Sequence, residues 1–118
     1  MRRNYLLYLD DIVTSICKIL QYTGNASYED FFKDEMRVDA IVRNFEIIGE
    51  ASGNIPKEIK DKYPLMEWRK ISDFRNVLIH EYFGVNYKIM WDIIKNKLPN
   101  LQKEIQSILE KEKWHSAV

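Results

Sequence analysis

Apolar residues return along this chain in series spaced by three and four. Tyr5, Leu9, Ile12, Ile16 and Ile19 form the first such series. It is the stripe with which a helix faces a core, and it predicts a helix running to about Tyr22. "TGNAS" interrupts the series. Gly24 and Asn25 suit a turn, and Ser27 followed three residues later by Asp30 resembles the capping arrangement that opens a new helical turn. From about Asp34 a longer helix is predicted, with Val38, Ile41, Val42, Phe45 and Ile48 on one side and Asp39, Arg43, Glu46 and Glu50 on another. "SGNIP" ends it. Pro56 fits the first turn of a short amphipathic piece, "PKEIKDKY", which Pro64 closes. The next predicted helix starts near Met66, carries Trp68, Ile71, Arg75, Leu78 and Tyr82 on one stripe, and stops at Gly84. Asn86 then fits the cap of a long last helix with Trp91, Ile94, Leu98, Leu101, Ile105 and Ile108 in register. Pro99 is expected to kink that helix and the tail "EKEKWHSAV" to fray.

No stretch alternates with period two, and there is no internal repeat, low-complexity segment or glycine-rich phosphate loop. The expected fold class is all-α, an up-and-down bundle of about five to six helices with a small extra helix on one side. A length of 118 residues predicts a single domain over residues 1–118. With 46% hydrophobic residues, the chain can bury enough surface to offset the entropy of ordering it.

Charge narrows the partners. Eighteen basic and eighteen acidic side chains cancel, so a polyanion would have to be held by a local patch rather than by bulk attraction. Cys17 is the single cysteine. It excludes an internal disulfide, fits a reducing compartment, and is expected to fill a buried helix face. The start "MRRNYLLYLDDIV" has the arginines of an export signal, but Asp10 and Asp11 interrupt its apolar run. No segment approaches the ~20 apolar residues that span a membrane. The expected location is cytoplasmic, without membrane association.

One short stretch concentrates chemistry. "RNVLIHEYFG", Arg75 to Gly84, sets an arginine, a histidine and a tyrosine in a mostly apolar helical run. On an undistorted helix Asn76 and His80 share a face, whereas Arg75 and His80 diverge by about 140°. Convergence of those two would need the last turn before Gly84 to tighten or bend. On spacing alone, a packed, hydrogen-bonded His80 and an Arg75 paired with an acidic neighbour account for the pattern as well. Glu46 and Glu50 lie four apart as metal ligands sometimes do, yet the Glu-x-x-His pairs of a helical di-iron site are missing. Surface pairing with Arg43 is the preferred account of these glutamates, and a polar role at a cleft margin is the alternative. No metal or other cofactor is expected. His115 in the tail is expected to be inert, and the tryptophans to serve core or dimer packing rather than base stacking. A helix-turn-helix in "GEASGNIPKEIK" lacks the basic face that DNA reading requires.

"RNVLIHEY" resembles the Arg-x-x-x-x-His-x-Tyr motif of the HepT-like branch of the HEPN superfamily, including the polar residue after the arginine, here Asn76. "RNFEIIGEAS" (Arg43 to Ser52), "YPLMEWRKISDFRN" (Tyr63 to Asn76) and "LPNLQKEI" (Leu98 to Ile105) follow the family's order and spacing. The resemblance therefore extends over nearly the whole chain. It implies a HEPN-like helical homodimer acting as a metal-independent endoribonuclease toxin of a toxin–antitoxin pair, with two copies of the motif facing one another across a cleft. It further implies that Arg75 and His80 are catalytic and Asn76 supporting. Tyr82 would be the tyrosine that the partner, a small MNT-type nucleotidyltransferase antitoxin, modifies with AMP. The alternative function is a non-catalytic helical binding subunit of a nucleotidyltransferase complex.

Overall fold

The computed structural model describes residues 4–80 and 84–117, and of Arg75, Val77, Ile79, His80, Ser116 and Ala117 only the backbone. Its elements are α1 (Tyr5–Thr23), α2 (Tyr28–Lys33), α3 (Glu35–Gly53), α4 (Lys57–Lys62), α5 (Trp68–Ser72), α6 (Phe74–Leu78), β1 (Ile79–His80), β2 (Gly84–Val85), α7 (Tyr87–Asn96) and α8 (Leu98–Ala117). The fold is all-α, apart from the two-residue strands.

Short polar side chains begin the helices. Asn4 accepts from the Leu6 amide, Ser27 from Asp30, Asp34 from Arg37 and Asn86 from Ile89, at 2.9–3.2 Å. Each cap satisfies an amide that its helix leaves without a partner, worth about 1 kcal/mol. Gly24 ends α1 at φ 52°, donating its amide to the Leu20 carbonyl. A side chain rarely adopts that backbone angle.

α1 is the centre of the frame, with α3 and α8 packed against it. The predicted stripe is the buried one: Leu9, Ile12, Ile16 and Ile19 are fully enclosed, and they meet Ile41, Phe45 and Ile48 of α3 and Ile105 and Leu109 of α8 in one core. Burial of each such side chain contributes about 1.5–3 kcal/mol. Cys17, expected inside, is exposed. It sits one position past Ile16, and about 100° of helical rotation carries it off the stripe.

Two expected helices are not continuous. The one from Met66 to Gly84 stops at Ser72, restarts as α6, and gives way to β1, which pairs antiparallel with β2 in the register Ile79↔Val85 and His80↔Gly84. Asp73 (φ −92°, ψ 4°) stands at the first break. At the second, the Asn86 amide donates to the Leu78 carbonyl at 2.7 Å, so that carbonyl is satisfied without another helical turn. β-Branched Ile79 favours the extended chain here, and Gly84 takes φ 75°. The second interruption falls at Lys97 (φ −120°), which separates α7 from α8. Pro99 therefore occupies the first turn of a new helix, where its missing amide costs nothing, rather than kinking an old one. The tail does not fray: α8 continues to Ala117, and His115 lies on it, exposed. Among the described residues no helix is long and apolar enough to cross a membrane.

Candidate active site

Helix α5 is positioned by the small face of α3. A Cβ added to Gly49 would lie 3.0 Å from the Ser72 carbonyl oxygen, so only glycine lets α5 approach this closely. Ser52, fully buried, donates to the Trp68 carbonyl at 3.4 Å and accepts from the Ser72 hydroxyl at 3.3 Å. The Trp68 indole donates to the Tyr63 carbonyl at 3.1 Å, and its ring is buried beside Ile71. "GEAS" is thus a docking surface for the segment that follows.

From that anchor the chain leads into the motif. Asp73 accepts a 2.6 Å hydrogen bond from the Asn76 amide group, tying the start of α6 to its own second turn. Asn76 is exposed, and Phe74 and Leu78 are buried, with the Phe74 ring 5.6 Å from Phe45. Beside Asp73 lies an open recess of about 550 Å³ lined by Met66, Glu67, Trp68, Arg69, Lys70 and Asp73. Arg75 is on α6, and His80 is the last residue of β1. The shared helix face of Asn76 and His80, and the helical angle between Arg75 and His80, therefore do not apply. Tyr82 lies outside the described residues.

The other candidates lie on α3. Arg43 and Glu46 approach to 4.0 Å, with side chains 71% and 34% exposed, a distance and exposure at which an ion pair contributes little. Glu50 is exposed on the same helix. Among the described residues no three histidine, cysteine, aspartate or glutamate side chains converge as a metal site would require.

The sequence reading missed Glu112. Its carboxylate is 3% exposed and accepts from Tyr5 Oη at 3.0 Å, Lys62 Nζ at 2.9 Å and Tyr63 Oη at 2.6 Å. Burial pushes its pKa up, but the hydrogen bonds from Tyr63, Lys62 and Tyr5 and the charge of Lys62 outweigh it, leaving the group below the usual carboxylate range. Burial first, then the bond to Glu112, pushes Tyr63 up to about 12. This cluster joins the start of α1, the end of α4 and the end of α8. The signal was present: Glu112 continues the series Ile105, Ile108 and Leu109 at core spacing.

Residues 12–108 match the family model described as ribonuclease HepT-like. A candidate RNase of Caldanaerobacter subterraneus subsp. tengcongensis is 44% identical over 106 residues, covering 90% of this chain and 95% of that protein. A candidate RNase of Methanocaldococcus jannaschii is 38% identical, covering 92% and 90%. The probable ribonuclease HepT of Thermococcus cleftensis is 38% identical, covering 92% and 98%. No solved structure matches the chain. The chain belongs to the HepT-like ribonuclease family. Its enzyme class is accordingly endoribonuclease, with RNA as the substrate class.

Proposed function

We propose that the chain is a metal-independent endoribonuclease toxin that cuts RNA with Arg75 and His80 in a cleft shared by two copies, and that a nucleotidyltransferase antitoxin silences it. The observation that carries this reading is the break in the helical path on either side of Arg75, at Asp73 and again at Ile79. A helix that merely packed would continue, whereas here the chain breaks at Asp73, leaves helical geometry at Ile79 and is tied back through Asn86.

The chemistry suits the residue types. The 2′-hydroxyl loses its proton to a base and attacks phosphorus. The bond to the 5′-oxygen then breaks, and that oxygen takes a proton from an acid, leaving a 2′,3′-cyclic phosphate and a 5′-hydroxyl. An imidazole, with an ordinary pKa of ~6.5, can perform either proton transfer at neutral pH. The guanidinium of Arg75 stays charged and holds phosphate oxygens in pairs, so its task is to stabilise the crowded phosphorane. One motif histidine per copy leaves one proton carrier short, and a symmetric dimer brings a second His80 to the cleft. Asn76 holds the motif through Asp73, and Arg43, Glu46 and Glu50 border the cleft as polar residues. AMP on Tyr82 would put a phosphate and a nucleotide where the substrate binds, blocking it by charge and bulk. Toxin and antitoxin act in the cytoplasm.

The test is single-stranded RNA incubated in EDTA with the wild-type protein, Arg75→Ala and His80→Ala. The expected result is cleavage to cyclic-phosphate ends by the wild type, reduced at least about 100-fold in either variant. Cleavage that persists in both variants, or that disappears with EDTA, would refute the reading. So would a stable nucleotidyltransferase complex with no cleavage by the free protein.

A further inference from the structure

α2 and α7 close on one another through aromatic rings. Each contributes a pair four residues apart, Tyr28 and Phe32 from α2 and Tyr87 and Trp91 from α7. Phe32 and Tyr87 meet at 4.2 Å between centroids and 69° between planes, Tyr28 and Trp91 at 5.6 Å and 72°, and Tyr28 and Phe32 at 5.5 Å. Beneath them the fully buried Phe31 lies 5.2 Å from Trp91. Lys95 Nζ sits 4.8 Å from the centroid of Trp91. Core packing accounts for Phe31 and Trp91, but not for the outer edge of this ladder. There Phe32 is 42% exposed, and Tyr28 and Tyr87 are half-buried.

The ladder adjoins the motif. The Asn86 amide bonds the Leu78 carbonyl, Gly84 pairs with His80, and Tyr87 opens α7 directly after Asn86. Tyr87 is three residues beyond Gly84, a backbone reach of at most about 11 Å, which sets the start of α7 close to the backbone of His80. Charge is distributed to match. α7 and its cap carry Lys88, Lys95 and Lys97 against Asp92, whose carboxylate is engaged by Asn96 at 2.6 Å. α2 instead opens with Glu29 and Asp30. A polyanion is favoured along α7, with its bases turned toward the rings. Lysine is depleted from the cores of interfaces between proteins, so an aromatic edge bordered by exposed Lys88 and Lys95 fits a nucleic acid better than a second copy.

We infer that Tyr28, Phe32 and Tyr87 form a base-stacking subsite for single-stranded RNA flanking the scissile phosphate, with Lys88 and Lys95 tracking the backbone. The subsite rests on the cleavage reading for its purpose, but not for its detection. Stacking uses the face common to all bases, so the site prefers single strands to duplexes and shows little sequence preference.

The experiment titrates the full-length protein with a fluorescent 2′-O-methyl RNA decamer, which lacks the attacking hydroxyl and is bound without being cut, and with its duplex. Phe32→Leu keeps apolar bulk and removes the ring, and Phe32→Trp restores a ring. The expected result is a roughly tenfold loss of single-strand affinity in Phe32→Leu, recovery in Phe32→Trp, and unchanged duplex binding in both. Lys88→Ala should lower the slope of log affinity against log salt by about 0.7. Equal single-strand affinities across the Phe32 variants would overturn the subsite. So would a change confined to sedimentation, which would mark the face as a contact between copies. Failure of the cleavage reading shows separately, as RNA cutting retained by His80→Ala, and leaves this binding result readable.

Discussion

α1 and the stretch from Trp68 to Val85 are of similar length, yet one is a single 19-residue helix and the other is broken into α5, α6, β1 and β2. The first has a face to bury along its whole length, and that face dictates its geometry. The second is held at separate points: by α3 at Gly49 and Ser52, by Asp73 to Asn76, and by Asn86 to Leu78. A protein can vary the direction of side chains in a segment fixed this way, and residues that must meet a substrate gain from it. The comparison predicts that damage to the frame costs stability and damage to the interrupted segment costs chemistry.

The largest effect on the frame is expected from Glu112→Ala, which removes the buried carboxylate that accepts from Tyr5, Lys62 and Tyr63. It should cost about 3 kcal/mol, or about 10 °C in Tm, by calorimetry. The same cluster sets a pH dependence. Because the folded pKa of Glu112 is depressed from its ordinary 4.5, its contribution is present above that value and is lost as pH falls through the lower folded pKa. Tyr63, raised from 10.0 to about 12, contributes below pH 10 and loses its contribution as pH rises toward 12. Urea unfolding of Glu112→Gln should show a flatter acid limb than the wild type, and an identical limb would remove Glu112 from the account.

Gly49→Val comes next. Its side chain meets the Ser72 carbonyl, and overpacking of this kind costs about 2 kcal/mol. It should also lower RNA cleavage, because α5 must move, so the variant couples the two regions. Gly84→Ala is smaller and local. Nothing lies within 4 Å of the added Cβ, but φ 75° is strained for alanine, by about 1 kcal/mol. Hydrogen exchange at the Asn86 amide should quicken about fivefold with little change in Tm. Pro99→Ala should be nearly neutral, within about 0.5 kcal/mol, because the first turn of α8 does not need that amide. A large change would mean that the proline sets the break at Lys97.

The frame was legible in the sequence because periodicity reports a face buried along a whole helix. Leu9, Ile12, Ile16, Ile19, Val38, Ile41, Phe45 and Ile48 were all placed correctly on that ground. The stretch from about Met66 to Gly84 reads as one helix because Trp68, Ile71 and Leu78 keep helical spacing while burying from separate short pieces. What ends α6 is a bond from Asn86, and spacing carries no trace of it. The motif residues were found by resemblance, but their arrangement was extrapolated along a helix that stops before His80. Glu112 was missed because a charged residue in a lysine-rich tail looks solvated unless its core register is noticed.

The most direct measurement compares His80→Ala with Glu112→Ala, recording Tm and the RNA cleavage rate at 25 °C on the same samples. The account predicts that His80→Ala loses at least about 100-fold in rate with Tm within about 3 °C of wild type. Glu112→Ala should lose about 10 °C while keeping most of its rate. A His80→Ala protein that melts early, or that cuts RNA at the wild-type rate, would contradict the account.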